Sequence, residues 1–157
     1  MGSPLGQLRL VEADGALAAV DFEPFPAELP PELADFDQAI DVLRAAVNQL
    51  RAYFAGDPSP FDLPLAPKGT AFQQEVWGAT RLIPYGCRLS YGELAAELRR
   101  PIGASRAVGG ALGRNPLPIL IPCHRVVTAD GHLGGYAGGS ERKQKLLSLE
   151  LVHKRQP

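Results

Sequence analysis

The sequence predicts an α/β protein in two parts: a small sheet-and-helix unit at the N-terminus, then a mostly helical unit. Three observations predict this. Two short apolar runs flank an Asp-Gly pair near the N-terminus, the pattern of a β-hairpin. One helix-period stripe follows, and a proline-rich stretch then separates it from several short helical patterns. The charge also changes sign at that stretch. Up to Pro67 there are 3 Lys+Arg against 11 Asp+Glu, and from Lys68 onward 13 against 6. The net charge of −1 therefore hides an acidic half and a basic half. A basic half suits an anionic partner such as DNA, although solvated charged faces alone would also explain it.

Each element has a local cause. Leu5 to Val11 and Ala16 to Phe22 read as strands around Ala13-Asp14-Gly15. Residues 24–34, with Pro24, Pro26, Pro30 and Pro31, read as loop. Ile40, Leu43, Val47, Leu50 and Phe54 recur at helical spacing, and Gly56 supplies the stop. Residues 57–68, with Pro58, Pro60, Pro64 and Pro67, read as a linker, which puts the boundary between units at 67/68.

The second unit, 68–157, opens with a helix near Thr70 to Arg81 whose inner face carries Phe72, Val76 and Ala79. Ser90-Tyr91-Gly92-Glu93 is a capping box. It starts a short helix with Leu94 and Leu98 inward, broken by Pro101 and Gly103. A second short helix follows from about Ala104 to Leu112, so the pair reads as a helix-turn-helix. Ile119-Leu120-Ile121 reads as a short buried strand that delivers Cys123 to a site edge. A glycine-rich loop (Gly131, Gly134, Gly135, Gly138, Gly139) leads to a last helix from Ser140 carrying Leu146, Leu147 and Leu149.

Composition narrows the function classes. Forty-five per cent of residues are hydrophobic, enough for an ordinary core, yet no run approaches the ~20 apolar residues of a membrane span. Met1-Gly2-Ser3-Pro4 has no basic patch with an apolar run, so no signal peptide is expected. Two cysteines without an export signal favour a reducing, cytoplasmic setting over a disulfide framework. Cys87 and Cys123 lie far apart, and His124, His132 and His153 fit no zinc spacing, so no metal is expected.

Cys123-His124-Arg125 is the candidate reactive segment. A thiol of pKa ~8.5 is only a few per cent thiolate at pH 7. It can be activated by a lowered pKa or by an adjacent base, for which His124 is placed. Such a histidine needs a carboxylate to fix its tautomer. Asp130, Glu141 and Glu150 all lie downstream, and spacing does not choose among them.

Residues 106–127 read Arg-Ala-Val-Gly-Gly-Ala-Leu-Gly-Arg-Asn-Pro-Leu-Pro-Ile-Leu-Ile-Pro-Cys-His-Arg-Val-Val. This string closely resembles the O6-alkylguanine-DNA alkyltransferase family, whose hallmark is Pro-Cys-His-Arg-Val. The resemblance covers 69–157 well, and 1–68 only in general character. It implies a ribonuclease H-like N-terminal scaffold and a C-terminal domain with a winged-helix-like helix-turn-helix. It implies irreversible, single-turnover repair of O6-alkylguanine, and of O4-alkylthymine, in double-stranded DNA after nucleotide flipping. No cofactor, membrane or obligate protein partner is implied, and the protein is expected to act as a monomer.

The resemblance also implies roles. Cys123 matches the alkyl acceptor, His124 the base acting through a water, and Glu150 the acid orienting it. Asn115 matches the residue that holds the two halves of the site together. Tyr91 matches the tyrosine that turns a phosphate outward and donates a proton toward guanine N3. Arg106 matches the arginine that fills the gap left by the flipped nucleotide. Pro118, Tyr136, Gly138 and Arg125 are expected to bind the substrate base. Ala104, Ser105, Ala107, Gly109 and Gly110 are the small residues that would let the second helix press into the minor groove. Two departures stand out. Residues 1–68 hold neither Cys nor His, so the N-terminal zinc of some relatives cannot form here. Ala137 stands where some relatives carry a serine, which bears on alkyl-size preference. Cys87 reads as structural or incidental.

Rival readings make different demands. A lesion-binding protein without transfer would lack the cysteine. A transcription regulator would carry a further regulatory domain. A cysteine hydrolase would turn over on an ester or amide.

Overall fold

The structure, a computed structural model, describes residues 1–25 and 36–154. The proline-rich loop expected at 24–34 lies mostly outside the described residues. The chain begins as an antiparallel sheet of three strands, β1 (Gly2–Ser3), β2 (Gly6–Ala13) and β3 (Ala16–Phe22), in that order. Ala13 pairs with Ala16, so Asp14-Gly15 is a two-residue turn. Both residues have positive φ, 52° and 80°, as the turn that matches strand twist requires. The inner face, Leu8, Leu17 and Val20, packs on helix α1 (Phe36–Phe54).

The buried face of α1 is Ala39, Ala46, Leu50 and Tyr53. Ile40, expected inside, is 45% exposed. Of the expected stripe, Leu50 is fully buried, and the buried face is completed by Ala39, Ala46 and Tyr53. Gly56, at φ +98°, ends the segment, and a Cβ there would lie 2.0 Å from the His153 ring. Residues 57–68 are no free linker. Leu17 N–H donates to Pro64 O, Ala66 N–H to Leu17 O, and Gln49 is doubly hydrogen-bonded to Asp62. The segment is tied to β3 through Pro64 and Ala66 and to α1 through Asp62.

Beyond it stand α2 (Ala71–Thr80), β4 (Leu89–Ser90), α3 (Tyr91–Glu97), a 3-10 turn (Ile102–Ala104) and α4 (Ser105–Gly113). Then come a 3-10 turn at Cys123–Arg125, β5 (Val126–Val127) and α5 (Ser140–Lys154). Capping boxes start α2 (Thr70, Gln73) and α3 (Ser90, Glu93). The pair α3 and α4 forms the expected helix-turn-helix, packed through Leu94, Ala95, Val108, Ala111 and Leu112. β4 pairs in parallel with β5, Leu89 opposite Val126 and Ser90 opposite Val127. This pairing carries Tyr91 to the cysteine segment.

Ile119-Leu120-Ile121 is not a strand. It is buried as expected, but it turns: Ile119 sits at φ +76° and Ile121 N–H donates to Leu117 O. Pro118 and Pro122 on either side lack the N–H that a ladder would use. The three side chains are anchored in the core cluster of β2, β3 and α1, while Cys123 and Val126 belong to the cluster under α3 and α4. The reactive segment therefore crosses between two cores. Ile121→Ala removes a fully buried side chain at that crossing. It is expected to cost about 2–5 kcal/mol, read as a lower urea midpoint at unchanged slope.

Candidate active site

Cys123 lies at the floor of a cleft of about 610 Å³. Tyr91 of α3, Ser105, Arg106 and Gly109 of α4, and Gly134, Gly135, Tyr136 and Ala137 of the glycine loop form its walls. The thiol is 4% exposed. Asn115 holds it in place: Nδ2 donates to Ile121 O (2.9 Å) and to Cys123 Sγ (3.2 Å), while Oδ1 accepts Leu117 N–H (2.9 Å). One amide thus fixes both ends of the turn that delivers the sulfur.

Burial pushes the Cys123 thiol up to about 11, against the pull of the Asn115 hydrogen bond and the Lys143 charge. Of the two activation routes open in the sequence, a resting thiolate is disfavoured and an adjacent base is needed. His124 is fully buried, which lowers its pKa and keeps the ring neutral at pH 7, although Glu150 pulls it up. Its Nε2 lies 2.7 Å from Glu150 Oε1, and its Nδ1 has no hydrogen-bond partner among the described residues. A proton held on Nε2 by the carboxylate leaves Nδ1 free to accept. Of the three acids left open, Glu150 is the one in place. Asp130 bonds Thr128 and His132 on the surface, and Glu141 pairs with Lys145.

Glu150 is crowded with donors. Tyr53 Oη donates to Oε1 (2.7 Å), Gly86 N–H to Oε2 (3.0 Å), and Arg125 to both oxygens through Nε (3.1 and 3.0 Å) and to Oε1 through a terminal nitrogen (2.9 Å). Burial disfavours the charged carboxylate, but the hydrogen bonds and charges of His124 and Arg125 prevail and hold it at about 2. Tyr53 stays a donor, because burial and the neighbouring carboxylate push its pKa far up. Tyr53 was absent from the sequence reading. It sat on the periodic α1 segment, where an aromatic reads as core.

Tyr91 is wedged between α4 and the loop. Its ring touches the Gly109 position, and a Cβ on Gly134 would lie 2.6 Å from its hydroxyl. Burial raises its pKa, with Cys123 adding to the effect, so the phenol keeps its proton. Gly110 meets nothing within 4 Å, and Arg106 and Ala107 are exposed, so the outer face of α4 is open. Ala104 precedes α4 in the capping position and does not wall the cleft.

Three expected base-binding residues stand elsewhere. Arg125 turns away from the cleft, donating to Ile83 O (2.6 Å) and lying over the Tyr85 ring. Its role is to neutralise Glu150. Pro118 lines an adjoining cavity that meets the cleft at Ala137. Gly138 is buried behind the wall, where a Cβ would strike both Phe22 and Tyr136 at 2.7 Å. Tyr136 is in the wall as expected. Among the described residues no group of three or more His, Cys, Asp or Glu is placed to hold a metal, and no helix is long and apolar enough to cross a membrane.

A helix-turn-helix carrying a cleft, with a thiol at its floor and a histidine and carboxylate behind, defines a DNA-binding protein built around a cysteine nucleophile. The comparisons agree. Residues 71–152 match the 6-O-methylguanine DNA methyltransferase DNA-binding domain, and residues 1–67 its ribonuclease-like domain. The chain belongs to the 6-O-methylguanine DNA methyltransferase family. A methylated-DNA–protein-cysteine methyltransferase of Mycolicibacterium paratuberculosis is 45% identical over 96% of this chain and 90% of its own. One from Methanosarcina acetivorans is 45% identical over 94% of each. The crystal structure of Mycobacterium tuberculosis O6-methylguanine methyltransferase superposes with a TM-score of 0.82 at 44% identity, covering 100% of this chain and 92% of that one. The Mycobacterium tuberculosis protein in complex with DNA gives 0.81 at 44%, covering 98% and 92%.

Acid should dismantle this site in two stages. His124 has a folded pKa below its unfolded value, so its contribution is complete above pH ~6.5 and declines as pH falls below it. Glu150 contributes fully above its unfolded value near 4.5 and is lost as pH falls toward about 2. Stability measured by denaturant at stepped pH is expected to show both declines. Glu150→Gln strands a buried Arg125 and is expected to cost about 3–5 kcal/mol; with His124 still buried and the upward pull of the carboxylate gone, the first decline should persist and the second disappear.

Proposed function

We propose that this protein repairs O6-alkylguanine in double-stranded DNA by accepting the alkyl group on Cys123, once per molecule and as a monomer. The observation that carries the reading is the buried Cys123–His124–Glu150 arrangement behind a cleft that opens beside α4. Relatives named for methyl transfer from DNA to a protein cysteine support the substrate class. The division of labour we assign falls at 67/68, with the first unit as scaffold.

An O6-alkyl group is stacked inside a duplex, so the nucleotide must be flipped out, which costs a few kcal/mol. The open, small-residue face of α4 allows close approach to the minor groove, and Arg106 at the cleft wall is poised to fill the gap. The flipped guanine enters between Tyr91 and Tyr136. His124 Nδ1 takes the Cys123 proton, directly or through a water. The sulfur lone pair forms the S–C bond, the C–O6 bond breaks, and its electron pair leaves with the guanine. Tyr91 supplies a proton to guanine N3 and is reprotonated from His124 by way of solvent. The thiol hydrogen thus ends on guanine, and the balance requires no cofactor. The product thioether has no leaving group that this site could activate, so each molecule acts once. O4-alkylthymine offers the same C–O bond and is a second expected substrate.

Intact mass after mixing with duplex DNA containing O6-methylguanine should show one added methyl, mapped to Cys123 and saturating at one per chain. Lesion binding without added mass would replace this reading with damage flagging. Cys123→Ala is expected to bind the duplex yet transfer nothing. Arg106→Ala should slow repair of duplex DNA far more than reaction with the free alkylated base. Equal losses on both substrates would remove the flipping role from Arg106.

A further inference from the structure

The loop wall of the cleft carries no regular structure of its own. Between β5 and α5 the chain forms no helix or strand. Gly134 and Gly139 take left-handed backbone angles, φ +69° and +86°, and glycine gives up more freedom on ordering than any other residue. Behind Ala137 there is also room to move. The adjoining cavity, about 380 Å³, is lined by Phe22, Pro118, Ala137 and Arg142. Lys143 holds the wall ahead of Tyr136, at Gly135 O (3.2 Å). The stretch beyond Tyr136 needs a second support.

Arg142, in the first turn of α5, supplies it. Nη1 donates to Gly138 O (3.1 Å) at the back of the wall. Nε donates to Leu5 O (3.1 Å), just before β2, and Nη2 to Glu23 O (3.2 Å), just after β3. The guanidinium carbon stands 4.8 Å from the centre of the Phe22 ring, within cation–π range. Phe22 meets Tyr136 in turn, with ring centres 6.3 Å apart, and Tyr136 stands edge-on to His124 at 6.5 Å. One side chain thus ties the open end of the β2–β3 hairpin to the substrate wall. Arginine suits this task, because its N–H groups diverge in a fixed plane, whereas lysine offers a single nitrogen.

We propose that Arg142 is a positioning residue for the substrate. By fixing Gly138 and Phe22 it holds Tyr136 and Ala137 against the bound base, which makes the N-terminal sheet part of the substrate pocket. The assignment rests on Cys123 being the acceptor and on the cleft being the base site. Arg142 does not line the cleft, and no proton or electron pair passes through it. Without the fork, the wall relaxes into the cavity behind it. The grip on a purine weakens, while the thiol stays as reactive as before.

The test compares two reagents for the same sulfur. Free O6-benzylguanine must be held by the wall before its benzyl group passes to Cys123, whereas iodoacetamide has no base to hold. Both products are quantified on the Cys123 peptide by mass spectrometry in the unaltered protein, Arg142→Met and Arg142→Lys. Met keeps the stem without donors, and Lys keeps the charge without the fork. The ratio of benzylation to iodoacetamide rates is expected to fall about tenfold in both variants. An unchanged ratio, whether the two rates hold or fall together, overturns the proposal, and so does a wild-type ratio in Arg142→Lys. Should neither variant fold, exchange of the Arg142 Nε–H proton with water is read by NMR in the unaltered protein. Protection sustains the clamp, and exchange as fast as in an exposed arginine overturns it. Should the unaltered protein take no benzyl from O6-benzylguanine and no methyl from a duplex, Cys123 is removed as acceptor. Hydrogen exchange of the loop amides in Arg142→Met then decides the clamp alone: faster exchange sustains it, and unchanged exchange overturns it.

Discussion

The carboxylate of Glu150 is the point on which the molecule converges. Its donors come from α1 (Tyr53), from the turn at Gly86, and from the cysteine segment itself (His124, Arg125). The donors come from segments far apart in the chain, which also share one apolar core. A buried anion is tolerable only when its lone pairs are filled and its charge matched. The requirement adds to the apolar packing that places α5, the reactive turn and Tyr53 around it. The same bond that orders these segments sets the histidine tautomer.

The two units are also joined by direct packing. Leu117, Ile119, Leu120 and Ile121 pack among residues of the first sheet and α1, and Val20 N–H donates to Pro116 O. Cys123, two residues beyond Ile121, packs under α3 and α4. The acidic unit is thus the anvil on which the delivering turn is shaped, and the basic unit frames the cleft. Ile119 holds a left-handed backbone conformation that a β-branched residue avoids, and the cores on either side hold it there.

What could be read from the residues in order was what is local. Asp14-Gly15, the Ser90 capping box and the glycines around α4 each act within a few positions, so their signals survive without a fold. Cys123, His124, Glu150, Asn115 and Tyr91 were legible because their string resembles a known pattern, and the structure gathers them. Tyr53 and Arg142 were not. Each lies on an amphipathic helix, where periodicity reports a face but not the partner across it, and Tyr53 is 97 residues from its carboxylate. Arg125 was misplaced for a related reason. Its motif position is two residues from the cysteine, and within the 3-10 turn Cys123–Arg125 the two side chains point apart. The Ile-Leu-Ile run shows the converse error, since burial was legible and backbone direction was not.

The raised pKa of Cys123 carries a consequence for a reagent spent only once. With burial pushing its pKa up to about 11, the thiol and not the thiolate is the resting form at pH 7. Oxidants and stray electrophiles attack thiolates, so a buried thiol kept protonated reacts with them less readily. For a molecule that must wait for a rare lesion, burial of the sulfur works as a preservative, and shelf life is a designed quantity alongside rate.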